Sequence, residues 1–143
     1  MYNHVYLNLK IKTTFKAGDM DHHQFESIAL KAIEALPEEF REKLENVDIV
    51  VEDWPSTEQL QRLKIRNRSQ LLGLYEGIPH TRRGRGYSLV LPDKITIFKK
   101  PIEMRCRSDK EIETQIGRVV RHEIAHHFGT GESTLREIEG KYR

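Results

Sequence analysis

His122, Glu123 and His126 fall in the run His122-Glu123-Ile124-Ala125-His126-His127-Phe128-Gly129. Their types and spacing suit ion-assisted hydrolysis. Residues four apart on an α-helix share one face, a turn from each other. The imidazoles of His122 and His126 can therefore reach one ion at about 2.0–2.1 Å each. Glu123 lies roughly 100° round the helix from His122 and about 60° from His126. It can meet a water on the ion without becoming a ligand. The expected division of labour is simple: the ion lowers the pKa of the water, and the carboxylate accepts its proton.

Two imidazoles do not complete a catalytic site, which usually has three protein ligands and one open position. Glu132, six residues after His126, is the expected third ligand. On a continued helix it would point away, but Gly129 lets the helix stop and the chain fold back. Glu137 and Glu139 are weaker candidates. A set of two His and one Glu suits zinc. With seven histidines in the chain, the five-residue motif arises by chance in about one such sequence in 25. Adding a glycine at 129 and an acid or His at 132 lowers that to about one in 2000, so the pattern carries weight.

A helix must hold these residues. Ser108 with Glu111 matches a capping box, in which hydroxyl and carboxylate satisfy first-turn amides. Ile112, Ile116, Val119 and Val120 then line one face, and Glu123 falls on that apolar side. A carboxylate there needs a reason, and catalysis supplies one. Gly129 and Gly131 end the helix, and Leu135 and Ile138 indicate a short helix after it.

Upstream, Val5, Leu7, Leu9 and Ile11 alternate as a half-buried strand does, and Gly18-Asp19 breaks it. Phe25, Ile28, Ala29, Ala32, Ile33 and Leu36 recur at helical spacing, and Pro37 stops that helix. A short helical stretch is expected over 38–46, a strand over 47–52, a short helix over 58–63 and a strand over 71–75. Strands over 87–91 and 95–98 are expected to join through a turn at Pro92-Asp93.

The chain has 143 residues, 32% charged and 37% apolar, which suits one globular domain. Cys106 is the lone cysteine. It excludes a disulfide framework and a cysteine-rich zinc site, and it is compatible with a reducing cytosol. No apolar run is long enough for a bilayer, and the alternating first strand is unlike a signal sequence, so a cytoplasmic protein is expected. The net charge of +2 does not point to nucleic acid. Arg82, Arg83 and Arg85, with Lys99, Lys100, Arg105 and Arg107, read as solvated surface. His22-His23 reads as a solvated helix start, His127 as a packing residue beside the motif, and Cys106 as inert. Tyr87 and Tyr142 are weak candidates to donate to an oxyanion.

The run His-Glu-Ile-Ala-His-His-Phe-Gly resembles the signature of the small bacterial zincin-like metallopeptidases, the minimal matrix-metalloprotease-like domains. Leu36-Pro37-Glu38-Glu39-Phe40, Val50-Val51-Glu52-Asp53, Leu72-Gly73-Leu74-Tyr75-Glu76-Gly77 and Leu91-Pro92-Asp93-Lys94-Ile95-Thr96-Ile97-Phe98 resemble that family too. The resemblance runs from about Met20 to Leu135. It implies an α+β fold, a compact single zincin-like domain whose small mixed sheet packs against a central metal-binding helix. It also implies zinc on His122, His126 and an acidic ligand at 132, where the family more typically has aspartate and this chain has Glu132. Glu123 would be the catalytic acid/base. A zinc-dependent metallopeptidase acting on a peptide or protein substrate is expected over 20–143, with 1–19 an extension that contributes an extra strand. The alternative is a zinc-binding module of the same fold without hydrolytic activity.

Overall fold

The computed structural model describes residues 21–77 and 92–129 and the backbone of 9–11. Four strands form one sheet: β1 (Leu9–Ile11), β2 (Val47–Glu52), β3 (Gly73–Glu76) and β4 (Asp93–Phe98). Their order is β1-β2-β4-β3. β1 and β4 run parallel to β2, and β3 runs antiparallel to β4. The fold is therefore α+β with a mixed sheet. β1 falls inside the first nineteen residues, where the alternating pattern indicated a strand.

The helices are α1 (His22–Glu34), α2 (Glu38–Arg41), α3 (Thr57–Leu63), α4 (Lys99–Arg105) and α5 (Asp109–His127). Asp21 caps α1 by accepting the His23 amide at 2.7 Å, which satisfies a donor the helix leaves orphaned. One face of α1 and one of α5 cover one face of the sheet. Phe25, Ala29 and Ile33 from α1 and Ile112, Ile116 and Val120 from α5 meet Ile49, Val51, Ile95 and Ile97 in the core. No helix among the described residues is long and apolar enough to cross a membrane.

Several expectations need correction. Ser108 accepts the Glu111 amide at 3.1 Å, but the Glu111 carboxylate accepts the Arg107 amide instead of closing the box. The reciprocal box forms at α3, between Ser56 and Gln59. Asp93 is no turn residue; it is the first residue of β4. α4 has no clear periodic signal, yet it accommodates Pro101 because a proline in the first turn forfeits no intrahelical bond.

Two residues read as solvated are buried. His22 is only 3% exposed and Lys99 1%. His22 Nδ1 lies 3.9 Å from the Asp53 carboxylate, and the Lys99 ammonium lies 3.2 Å from that of Glu103. Charge in sequence does not reveal that a helix start and a strand end will meet in space. The expected strand over 87–91 and the helix around Leu135 and Ile138 lie outside the described residues, as does Gly131.

Gly73 sets how closely α5 can approach the sheet. A Cβ there would stand 2.4 Å from Val119 Cγ1 and 3.2 Å from the Thr96 carbonyl oxygen. Val119 is β-branched and stiff within a helix, so the helix itself would have to move. Gly73→Ala is expected to cost about 1–3 kcal/mol in chemical denaturation. Pairing it with Val119→Ala should cost less than the two single losses added, because the truncated valine no longer blocks the new methyl. Strict additivity would remove this account of the contact.

Candidate metal centre

The backbone of α5 places His122 and His126 one turn apart, with Gly129 at φ 74° just past the helix end. That left-handed conformation is one glycine adopts without strain. The His122 and His126 rings stand near-perpendicular with centroids 6.3 Å apart. His122 is half-buried and His126 exposed, so an ion can reach both from solvent. For both to bind at about 2.0–2.1 Å, the rings must close on each other. That needs only side-chain rotation, since the backbone already puts them on one face. Two neutral imidazoles are donors that zinc accepts readily, so the residues present fit the ion.

Among the described residues no group of three His, Cys, Asp or Glu side chains is arranged to hold a metal. Glu132, with the weaker candidates Glu137 and Glu139, lies outside the described residues. Tyr87, Tyr142 and the arginines at 82, 83 and 85 lie outside them as well.

Glu123 is half-buried against the edge strand β3. Its Oε1 accepts the Tyr75 backbone N–H at 3.0 Å. The register explains why that amide is available. Phe98 N–H donates to the Leu72 carbonyl, so Leu72 and Phe98 form a hydrogen-bonded pair. Such pairs alternate along an antiparallel ladder, and Tyr75 opposite Ile95 is then a non-bonded one. Its N–H points away from β4, to the side of β3 where Glu123 meets it. Burial pushes the Glu123 carboxyl above its ordinary range; the Tyr75 amide and the nearby His126 pull the other way more weakly. A carboxylate with a raised pKa is better matched to accepting and returning a proton near neutrality.

His127 turns to the other side of Glu123. Its ring stacks on Tyr75 with centroids 3.9 Å apart and planes 15° from parallel. Tyr75 donates its hydroxyl to Asp93 at 2.7 Å, and the same carboxylate oxygen lies 3.9 Å from His127 Nε2. Phe128 packs edge-on against both rings, with the Lys43 ammonium 4.9 Å from its centroid. His127 is thus a packing residue that pins the last turn of α5 to β3. Tyr75, Gly73 and Asp93 are positioning residues that the motif alone does not reveal. A glycine within a strand, a mark of close backbone approach, was the available signal. Cys106 is half-buried, and burial, aided by Glu111, pushes its thiol up, which disfavours a nucleophilic thiolate.

A family model described as zincin-like metallopeptidase matches residues 44–142, most of the chain. No curated protein matches it.

The burial of Glu123 has a consequence for stability. As pH rises, the unfolded chain releases this proton first, while the folded protein still holds it. Stability therefore falls through the window between the two pKa values. In metal-free protein, Glu123→Gln keeps an oxygen for the Tyr75 amide and removes the charge. It should be more stable than wild type by roughly 1 kcal/mol at pH 7, with the difference shrinking towards about pH 4 as the carboxyl protonates. Thermal melts across that range check it; a Gln variant less stable at neutral pH contradicts it.

Proposed function

The chain belongs to the zincin-like metallopeptidase family, and from that premise we propose that it is a zinc-dependent hydrolase of peptide bonds. In this reading His122 and His126 hold the ion, Glu132 completes the protein ligands, and Glu123 moves the proton. The observation that carries it is the placement of Glu123: beside His126, half-buried, with one oxygen fixed by a backbone amide of the edge strand. A surface carboxylate would have no such environment.

When bound, zinc supplies Lewis acidity, polarising a carbonyl and lowering the pKa of water. The chain's own groups supply the rest. Tyr75 N–H holds Glu123 Oε1, which leaves Oε2 to take the proton from the attacking water and return it to the leaving amine. The Tyr75–His127–Asp93 cluster fixes the helix end, so that His126 and Glu123 keep their separation when the substrate arrives. Residues 20–143 form the metallopeptidase domain in this reading, and residues 1–19 add a strand to its sheet. A peptide or protein is the substrate, and the lone Cys106 suits a reducing compartment such as the cytoplasm.

Metal analysis of purified protein tests the ligands. His122→Ala and His126→Ala are each expected to lower bound zinc by tenfold or more at limiting metal, while Glu123→Gln retains it. In a peptide-cleavage assay Glu123→Gln should lose activity by about 10²–10⁴-fold. Unchanged zinc content in both histidine variants removes the proposed site. Full zinc binding with no cleavage of any peptide by wild type leaves only the non-hydrolytic module.

A further inference from the structure

A groove of about 590 Å³ runs between the C-terminal end of α1 and the solvent side of α5, and it ends at His122. One wall is Ala32 of α1 with Ala35 and Leu36 just past the helix end, which offer apolar side chains and no charge. On α5 the middle of the groove is Gly117, whose missing side chain keeps the channel open; a Cβ there would come within 3.3 Å of the Arg121 guanidinium. The charged lining is uneven. Among the described residues that line it, Lys110, Arg118 and Arg121 stand with one acid, Glu113. The chain as a whole carries 24 basic and 22 acidic residues, so this bias is local and not an average of the composition.

We propose that this groove seats an acidic segment of the peptide substrate and delivers the adjacent peptide bond to the His122 end. The inference rests on the metallopeptidase reading and adds the substrate class to it. Arginine presents a planar fork that binds carboxylates in two places, and lysine adds a point charge. A volume of this size accommodates several groups of a bound ligand, and the small residues along the floor let an extended backbone lie close. Among the described residues no Phe, Tyr or Trp lines the groove, and its one ring is the His122 imidazole at the end, so no row of rings is present on which successive nucleic-acid bases would stack. The charges sit along α5 itself, the helix that carries His122 and His126. A segment held by them therefore lies along that helix.

The test uses full-length, zinc-treated Glu123→Gln, which binds peptide without cleaving it. Fluorescence anisotropy compares a labelled peptide rich in Asp and Glu with a counterpart in which those residues are Lys. The acidic peptide is expected to bind about tenfold tighter or more, with affinity falling as salt rises. Adding Lys110→Glu and Arg118→Glu together should weaken it about tenfold. Lys64→Glu with Arg66→Glu, an equal charge change on exposed residues outside the groove, should leave affinity near that of the parent. Thermal melts confirm that each variant folds.

Equal affinity for both peptides overturns the proposal, as does an equal loss from both double variants, which would signal a diffuse field. Groove-dependent binding of labelled single-stranded DNA at the same strength also overturns it, since the groove would then serve polyanions generally. Zinc content read on the same samples separates the two readings. Zinc bound without acid preference sinks the groove alone, and acid preference in protein that takes up no zinc sinks the metallopeptidase assignment alone.

Discussion

The Tyr75 amide points away from β4, and Glu123 reaches down from α5 to accept it. That one hydrogen bond depends on two features set far apart in sequence. The antiparallel register of β3 on β4 turns the amide outward, and the missing side chain at Gly73 lets α5 come close enough for the carboxylate to arrive. Shift the register by one residue and the amide turns inward to β4. Add a methyl at Gly73 and the helix stands off. The candidate metal centre is therefore a property of the helix and strand together, not of the helix alone.

The same contact sets the proposed role of Glu123 against stability. A half-buried carboxylate is held in a charge state its surroundings disfavour. The fold offsets this with apolar packing: Ile116 and Val120 on the same helix are fully buried, and the Tyr75–His127 stack anchors the final turn. His122 and His126, on the other hand, remain accessible to solvent. One helix thus carries three environments within two turns: apolar core on one face, a shielded carboxylate at its margin, and open nitrogen donors beside it.

Much of this was legible in sequence because it depends on periodicity. The 3.6-residue pattern of α1 and α5, the Val- and Ile-rich β2, and the one-turn spacing of His122 and His126 are local signals. What the sequence withheld depends on contacts across the chain. His22 and Lys99 carry polar groups in stretches that read as surface, and only the meeting of a helix start with strand ends buries them. α4 carries no clear periodic signal, and Pro101 fits it only because it falls in the first turn. Tyr75 lies in a segment that resembles the family, but nothing in that segment announces its contact with Glu123. Its role follows from a register that one strand cannot announce without its neighbour. The roles given to His122, Glu123, His126 and Glu132 come from spacing and resemblance, while the family match covers residues 44–142 as a whole.

The central claim is that His122 and His126 share one zinc ion with Glu123 beside it. Anomalous diffraction at the zinc edge from crystals of the zinc-loaded protein tests it most directly. The account predicts one strong anomalous peak within about 2.0–2.1 Å of a ring nitrogen of each histidine, with the Glu123 carboxylate close by but outside bonding distance. A peak bound elsewhere, or zinc held by only one of the two imidazoles, would contradict it.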